Sequence, residues 1–138
     1  MSDLHVGEAV RVRIQCSADI VTARQEGRSM AQTLGFSTTT LTIIATAISE
    51  VARNIVDHAK RGELIVSRLQ EGSREGIVIV ARDDGPGIQN VSQAMQYGYS
   101  TRKGLGVGLP GAKWLMDEFE IDSKVGKGTI VTMKKWVS

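Results

Sequence analysis

The chain has 138 residues, of which 41% are hydrophobic, 23% charged and 4% aromatic, with a formal net charge of +2. This is the composition of an ordinary globular protein with room for one packed core built mainly from Ile, Val, Leu and Ala. Its charge is too small to mark a partner for nucleic acid or for a membrane surface.

Cys16 is the single cysteine, so no internal disulfide can form and a cytoplasmic setting is expected. Ser2, Asp3, His5 and Glu8 interrupt any signal-peptide run, and the apolar stretch Leu41 to Ile48 is too short to span a bilayer. A single domain over residues 1–138 is expected.

Val10, Val12 and Ile14 alternate with Arg11, Arg13 and Gln15, the period of a half-buried strand. Ser17 or Asp19 can cap a helix that runs to Leu34 and stops at Gly35. Ser37 or a following Thr opens a longer helix to about Lys60, closed by Gly62. Leu64 to Leu69 is expected as a strand, Glu71 to Glu75 as a turn, and Ile77 to Ala81 as a buried strand that ends sharply at Asp83 to Gly87. A short helix over Gln89 to Gln96 and a glycine-rich loop over Tyr97 to Gly108 follow. The chain then enters a helix over Leu109 to Phe119, with Pro110 in its first turn. Ile121 to Lys124 and Thr129 to Trp136 close the order as strands joined by a Gly126-Lys127-Gly128 turn. Helices and hairpins together predict an α/β fold, a two-layer α/β sandwich of a mixed sheet with helices on one face.

At 100° per residue, the second helix gathers Leu41, Ile44, Ala45, Ile48, Val51, Ala52, Ile55, Val56 and Ala59 on one face. Glu50, Asn54 and Asp57 fall opposite. Such a face is either simply solvated or chemically active. In the active case, a carboxylate takes a proton from a hydroxyl nucleophile, and an amide oxygen one turn on ligates Mg²⁺.

Three glycine clusters follow. Asp83-Asp84-Gly85-Pro86-Gly87 sets one carboxylate beside backbone without side chains, where a flat heterocycle could approach and donate an amino hydrogen; a plain tight turn has the same composition. Gly104-Leu105-Gly106-Val107-Gly108-Leu109-Pro110-Gly111 runs into a helix, a place for phosphate. It contains G-x-G-x-x-G, but no strand directly precedes it and no acid follows roughly 20 residues on, so the dinucleotide fingerprint is incomplete. The P-loop lysine is absent after Gly111, as are the H-R-D and D-F-G signatures of the protein-kinase fold. Gly126-Lys127-Gly128-Thr129 is by itself a hairpin turn.

Taken in order, S-E-V-A-R-N at Ser49 to Asn54, D-D-G-P-G at Asp83 to Gly87, G-L-G-V-G-L at Gly104 to Leu109 and G-K-G-T at Gly126 to Thr129 resemble the N, G1, G2 and G3 boxes of the GHKL (Bergerat-fold) ATPases. Within that superfamily the chain is similar to the anti-sigma-factor-type serine/threonine kinases, and most similar to the switch kinases of bacterial stressosomes (the RsbT type). The stretches Asp19 to Arg28, Ile48 to Ile55 and Gly108 to Phe119 carry that likeness.

The resemblance implies ATP and Mg²⁺ as cofactors. It implies Asp83 on the adenine amino group, with Gly87 beneath the ring, Thr129 assisting and Gly85 also among the nucleotide-binding residues. It further implies Asn54 on Mg²⁺, Glu50 as general base, and Gly104, Gly106 and Gly108 over the phosphates, with Lys103 or Arg102 near the γ-phosphate. Arg53 and His58 have no implied role. The implied activity is phosphorylation of Ser or Thr on STAS-domain proteins of a stress-signalling complex. Release and activation of a PP2C-type phosphatase would follow. The alternative is an anti-sigma factor that sequesters a sigma subunit and phosphorylates an anti-anti-sigma factor. No nucleic-acid or membrane partner is implied.

Overall fold

The structure is a computed structural model that describes residues 4–95 and 108–137. Among these residues the order is β1 (Leu4–Ile14), α1 (Ser17–Thr33), α2 (Thr38–His58), β2 (Gly62–Glu71), β3 (Arg74–Asp83), α3 (Val91–Ala94), α4 (Gly108–Leu115), β4 (Glu118–Lys124) and β5 (Gly128–Trp136). One five-stranded sheet in the order β1-β2-β3-β5-β4 backs the helices. Val12, Ile14, Leu64, Val66, Ile77, Ile79, Ala81, Val131 and Met133 project from one sheet face into the core. There they meet Ile44, Ile48, Val51 and Ile55 of α2, Ala23 and Ala31 of α1, and Leu109, Ala112 and Met116 from the α4 region. α2 packs against both α1 and α4.

The two-layer α/β arrangement is the expected one. In detail, all four strand pairings are antiparallel, where the combination of helices and hairpins predicts a mixed sheet. The reason is topological. The helical connection from β3 to β4 skips one place, so those strands run the same way with β5 between them, antiparallel to both.

Several boundaries differ from expectation for local physical reasons. β1 begins at Leu4 rather than Val10 because it pairs along β2 as far as Glu71, with an irregularity between Val6 and Ala9. α1 is capped at Cys16, not at Ser17 or Asp19. Asp19 acts from the third position instead, its carboxylate accepting from the amides of Gln15 at 2.8 Å and Cys16 at 3.2 Å. Ser37 caps α2 as expected, accepting from the Thr40 amide at 3.2 Å. Lys60, in the left-handed region at φ 73°, closes that helix in place of Gly62, which opens β2. α4 stops at Leu115, short of Phe119. Lys135 Nζ donates to the Leu115 carbonyl at 3.0 Å, and the Asp117 amide donates to the Lys134 carbonyl at 3.0 Å. These bonds to β5 turn the chain into the sheet before another helical turn can form.

Candidate functional site: a cavity beside α2

A cavity of about 790 Å³ opens between α2, the turn after β3, α3 and the start of α4. That is the size of a small-molecule site. Its lining includes Glu50 and Asn54 from α2, Asp83 and Gly87 from the β3 turn, Gly108 at the α4 start, and Thr129 from β5. The motifs are far apart in sequence, and antiparallel pairing of β3 with β5 brings two of them together by setting Asp83 directly opposite Thr129. Gly85 does not line the cavity. It stands behind Asp83, where a Cβ would come within 2.6 Å of the Ala59 side chain. Gly104, Gly106, Lys103 and Arg102 lie outside the described residues.

Asp83 is fixed before any ligand arrives. Its Oδ1 accepts from the Gly85 amide at 2.9 Å. Burial pushes its carboxyl above the usual range; the amides of Gly85 and Thr129 oppose that rise, Asp84 adds to it, and His58 works against it. A carboxylate has about four acceptor sites, so capacity remains for a donor in the cavity.

The turn that carries Asp83 is tied to the β4–β5 hairpin. Gly126 N donates to the Pro86 carbonyl at 2.8 Å, and Ile88 N donates to Ser123 Oγ at 2.7 Å. Two glycines make this contact sterically open. A Cβ on Gly87, at φ +77°, would lie 2.3 Å from the Lys124 carbonyl oxygen. One on Gly128, at φ +108°, would lie 2.0 Å from that of Asp83. Both positions combine left-handed backbone with backbone-to-backbone approach, which only glycine satisfies.

A simply solvated face opposite the apolar stripe, one of the two expected readings, would leave Glu50 open to water, yet it is only 6% exposed. α4 packs on that side of α2 and covers it. Glu50 Oε1 accepts from the Gly108 amide at 2.9 Å, and Oε2 accepts from Arg53 Nη1 at 2.8 Å. Asn54 is half-buried one turn on, lining the cavity. Among the described residues no group of three or more His, Cys, Asp or Glu could hold a metal ion. The Asn54 amide oxygen is a hard donor of the kind that suits Mg²⁺, which keeps several waters and takes further oxygens from a bound ligand such as a phosphate.

The sequence motifs miss several residues at the site, His58 and Ser123 among them. His58 lines the cavity at the C-terminal end of α2. Ser123 on β4 joins the parts: its hydroxyl meets Ile88 N, the Gly128 carbonyl at 3.3 Å and the Thr129 hydroxyl at 2.7 Å. Its only mark in the sequence is a hydroxyl residue just before the Gly126-Lys127-Gly128 turn.

Over residues 15–135 the chain matches the family described as Histidine kinase-like ATPase domain. It is 47% identical over 126 residues to Serine/threonine-protein kinase RsbT of Bacillus subtilis (strain 168), covering 91% of this chain and 95% of that one. It is 34% identical over 100 residues to Anti-sigma F factor of Thermoanaerobacter sp. (strain X514), covering 68% of each. The crystal structure of the RsbU and RsbW domains of Rv1364c from Mycobacterium tuberculosis matches with a TM-score of 0.62 at 21% identity, over 93% of this chain and 32% of that one, a likeness of fold. With Glu50, Asn54, Asp83, Gly87, Gly108 and Thr129 gathered at one cavity, the chain belongs to the histidine kinase-like (GHKL) ATPase family, in the branch of the RsbT-type kinase and the anti-sigma F factors.

Proposed function

We propose that this protein is an ATP- and Mg²⁺-dependent serine/threonine protein kinase that phosphorylates STAS-domain proteins and, once released from them, activates a PP2C-type phosphatase in the cytoplasm. The observation that carries the proposal is the convergence of Glu50, Asn54, Asp83, Gly87 and Thr129 on one cavity. The 47% identity to the RsbT kinase favours this over the anti-sigma reading, since the relative named Anti-sigma F factor is 34% identical. Among the described residues no helix is long and apolar enough to cross a membrane. The whole chain acts as one nucleotide-binding domain in this proposal.

Each residue has a stated part. Asp83 accepts from the adenine amino group, and the Gly87 turn gives the ring close access to backbone. Asn54 supplies an amide oxygen to Mg²⁺, which when bound neutralises charge on the phosphates. Glu50 accepts the proton of the incoming Ser or Thr hydroxyl as that oxygen bonds to the γ-phosphorus and the bond to ADP breaks. Gly104, Gly106 and Lys103 enter through their motif alone, as the phosphate-side backbone and cation.

The test is incubation of the protein with labelled ATP and candidate STAS-domain proteins, beside Glu50→Gln. Transfer by wild type, and its loss in a variant that still binds ATP, is the expected result. A purified protein that transfers no phosphate to any STAS protein but captures a sigma subunit would replace this proposal with the anti-sigma one.

A further inference from the structure

We propose that Arg53 is a positioning residue for phosphoryl transfer, holding the Glu50 carboxylate in the orientation that receives the substrate proton. The inference rests on Glu50 being the general base. It comes from how that carboxylate is held. Arg53 Nη1 donates to Glu50 Oε2 at 2.8 Å, and the Gly108 amide donates to Oε1 at 2.9 Å. One oxygen is therefore gripped from its own helix, at the i,i+3 spacing that makes helical neighbours, and the other from the start of α4.

An exposed pair of this spacing would be a routine solvated contact. This one differs in burial: the Glu50 side chain is 6% exposed, against 29% for Arg53. Away from water a carboxylate needs a countercharge and donors on its oxygens, and Arg53 supplies a charge and one donor while itself partly exposed. Two donors occupy about two of the four acceptor sites of a carboxylate. The group is thus fixed in direction yet keeps a lone pair for a hydroxyl proton. Glu50 and Asn54 line the cavity, whereas Arg53 stands outside its lining. Arg53 therefore works from behind the base rather than on the phosphates.

The experiment compares wild type, Arg53→Ala, Arg53→Lys, Glu50→Gln and the Glu50→Gln/Arg53→Ala double variant. It measures nucleotide affinity by calorimetry and transfer to a STAS-domain acceptor in single turnover. Misplacing a catalytic group costs up to about 100-fold in rate. Arg53→Ala is expected to lose transfer on that scale with ATP affinity changed less than about twofold, and Arg53→Lys to recover most of the rate because it keeps a charged donor. The decisive arm is the double variant: if Arg53 acts only through Glu50, removing it from Glu50→Gln costs nothing further.

An equal loss in both backgrounds overturns the proposal, as does a parallel loss of ATP affinity, since Arg53 would then act on nucleotide or fold. Unchanged transfer in Arg53→Ala overturns it while leaving Glu50 as base. Wild-type transfer by the single Glu50→Gln variant defeats the base assignment itself and Arg53 positioning with it. Should Arg53→Ala unfold, Arg53→Gln, which keeps a donor without charge, takes its place in both backgrounds.

Discussion

The hydroxyl of Ser123 lies 2.7 Å from the hydroxyl of Thr129, and the same Ser123 oxygen accepts from the Ile88 amide at 2.7 Å. The turn that carries Asp83 is thereby fastened to the strand that carries Thr129 through a residue outside every motif. Ser123→Ala leaves the Ile88 amide without its acceptor, a loss of about 1–3 kcal/mol when the group is shielded from water. A lower melting temperature and weaker ATP binding are expected together. Unchanged affinity in calorimetry would mean that this fastening has no bearing on the nucleotide.

Asp83→Asn tests the proposed adenine contact. The amide keeps the size of the side chain but can present a donor where an acceptor is needed. ATP affinity should fall by several kcal/mol or vanish, since a mismatched buried polar contact costs about 1–3 kcal/mol or more. A folded variant with wild-type affinity would remove Asp83 from the site.

Acid should separate stability from binding. The Asp83 carboxyl is raised by burial above its ordinary value of 3.8. A raised carboxyl is disfavoured when ionised, so its contribution to folding is fully present below the unfolded value and is lost as pH rises through the folded one. As pH falls through that window, the Asp83 contribution stabilises the nucleotide-free protein while the loss of its charge weakens the adenine contact. Melting curves of wild type minus Asp83→Asn across this range should slope toward greater stability in acid, with ATP affinity sloping the other way. Parallel slopes would contradict the assignment.

Glu50→Gln should retain ATP binding and lose phosphate transfer by about 10²–10⁴-fold. Because Glu50 is buried and bonded on both oxygens, the variant should also melt earlier than wild type, by the about 1–3 kcal/mol that a weakened buried contact costs. With ATP present it should stay on its STAS partner, measured by surface-immobilised dissociation, while wild type is released. Equal release would show that phosphorylation is not the trigger.

Two glycines of like backbone should respond differently. Gly72 has φ +59° and nothing near its absent Cβ, so Gly72→Ala should cost only the left-handed penalty of about 1–2 kcal/mol. Gly87→Ala adds the approach to the Lys124 carbonyl; it should destabilise by more and also lower ATP affinity. Chemical denaturation of the two variants decides, and equal costs would show that the hairpin yields freely.

How much of this was legible in the sequence depended on the range of each interaction. The apolar stripe from Leu41 to Ile55 defines α2 by itself, and Asp83, Gly87 and Thr129 stand out through turn chemistry. The site they form follows once β3 pairs with β5. Periodicity alone leaves the Glu50 face undecided between solvated and active, because it shows where one neighbour packs, and α4 is a second neighbour that arrives 58 residues later. Ser123 was invisible for the same reason: its partners belong to the Pro86–Ile88 turn and to β5. The end of α4 is set by Lys135, 20 residues beyond the Leu115 carbonyl that it meets, and local propensity carries no trace of it.

α2 is walled in by the sheet, α1 and α4, and it carries Glu50 and Asn54 on the same rigid rod as Ile48, Val51 and Ile55. Any substitution that shifts the rod to repack the core also moves the carboxylate and the amide, so chemistry and packing are inherited together. A lineage built on this frame has little freedom to retune the geometry of the proposed site one residue at a time. Its latitude for change lies in side chains that bear on neither, such as Trp114, which stands 82% exposed on α4.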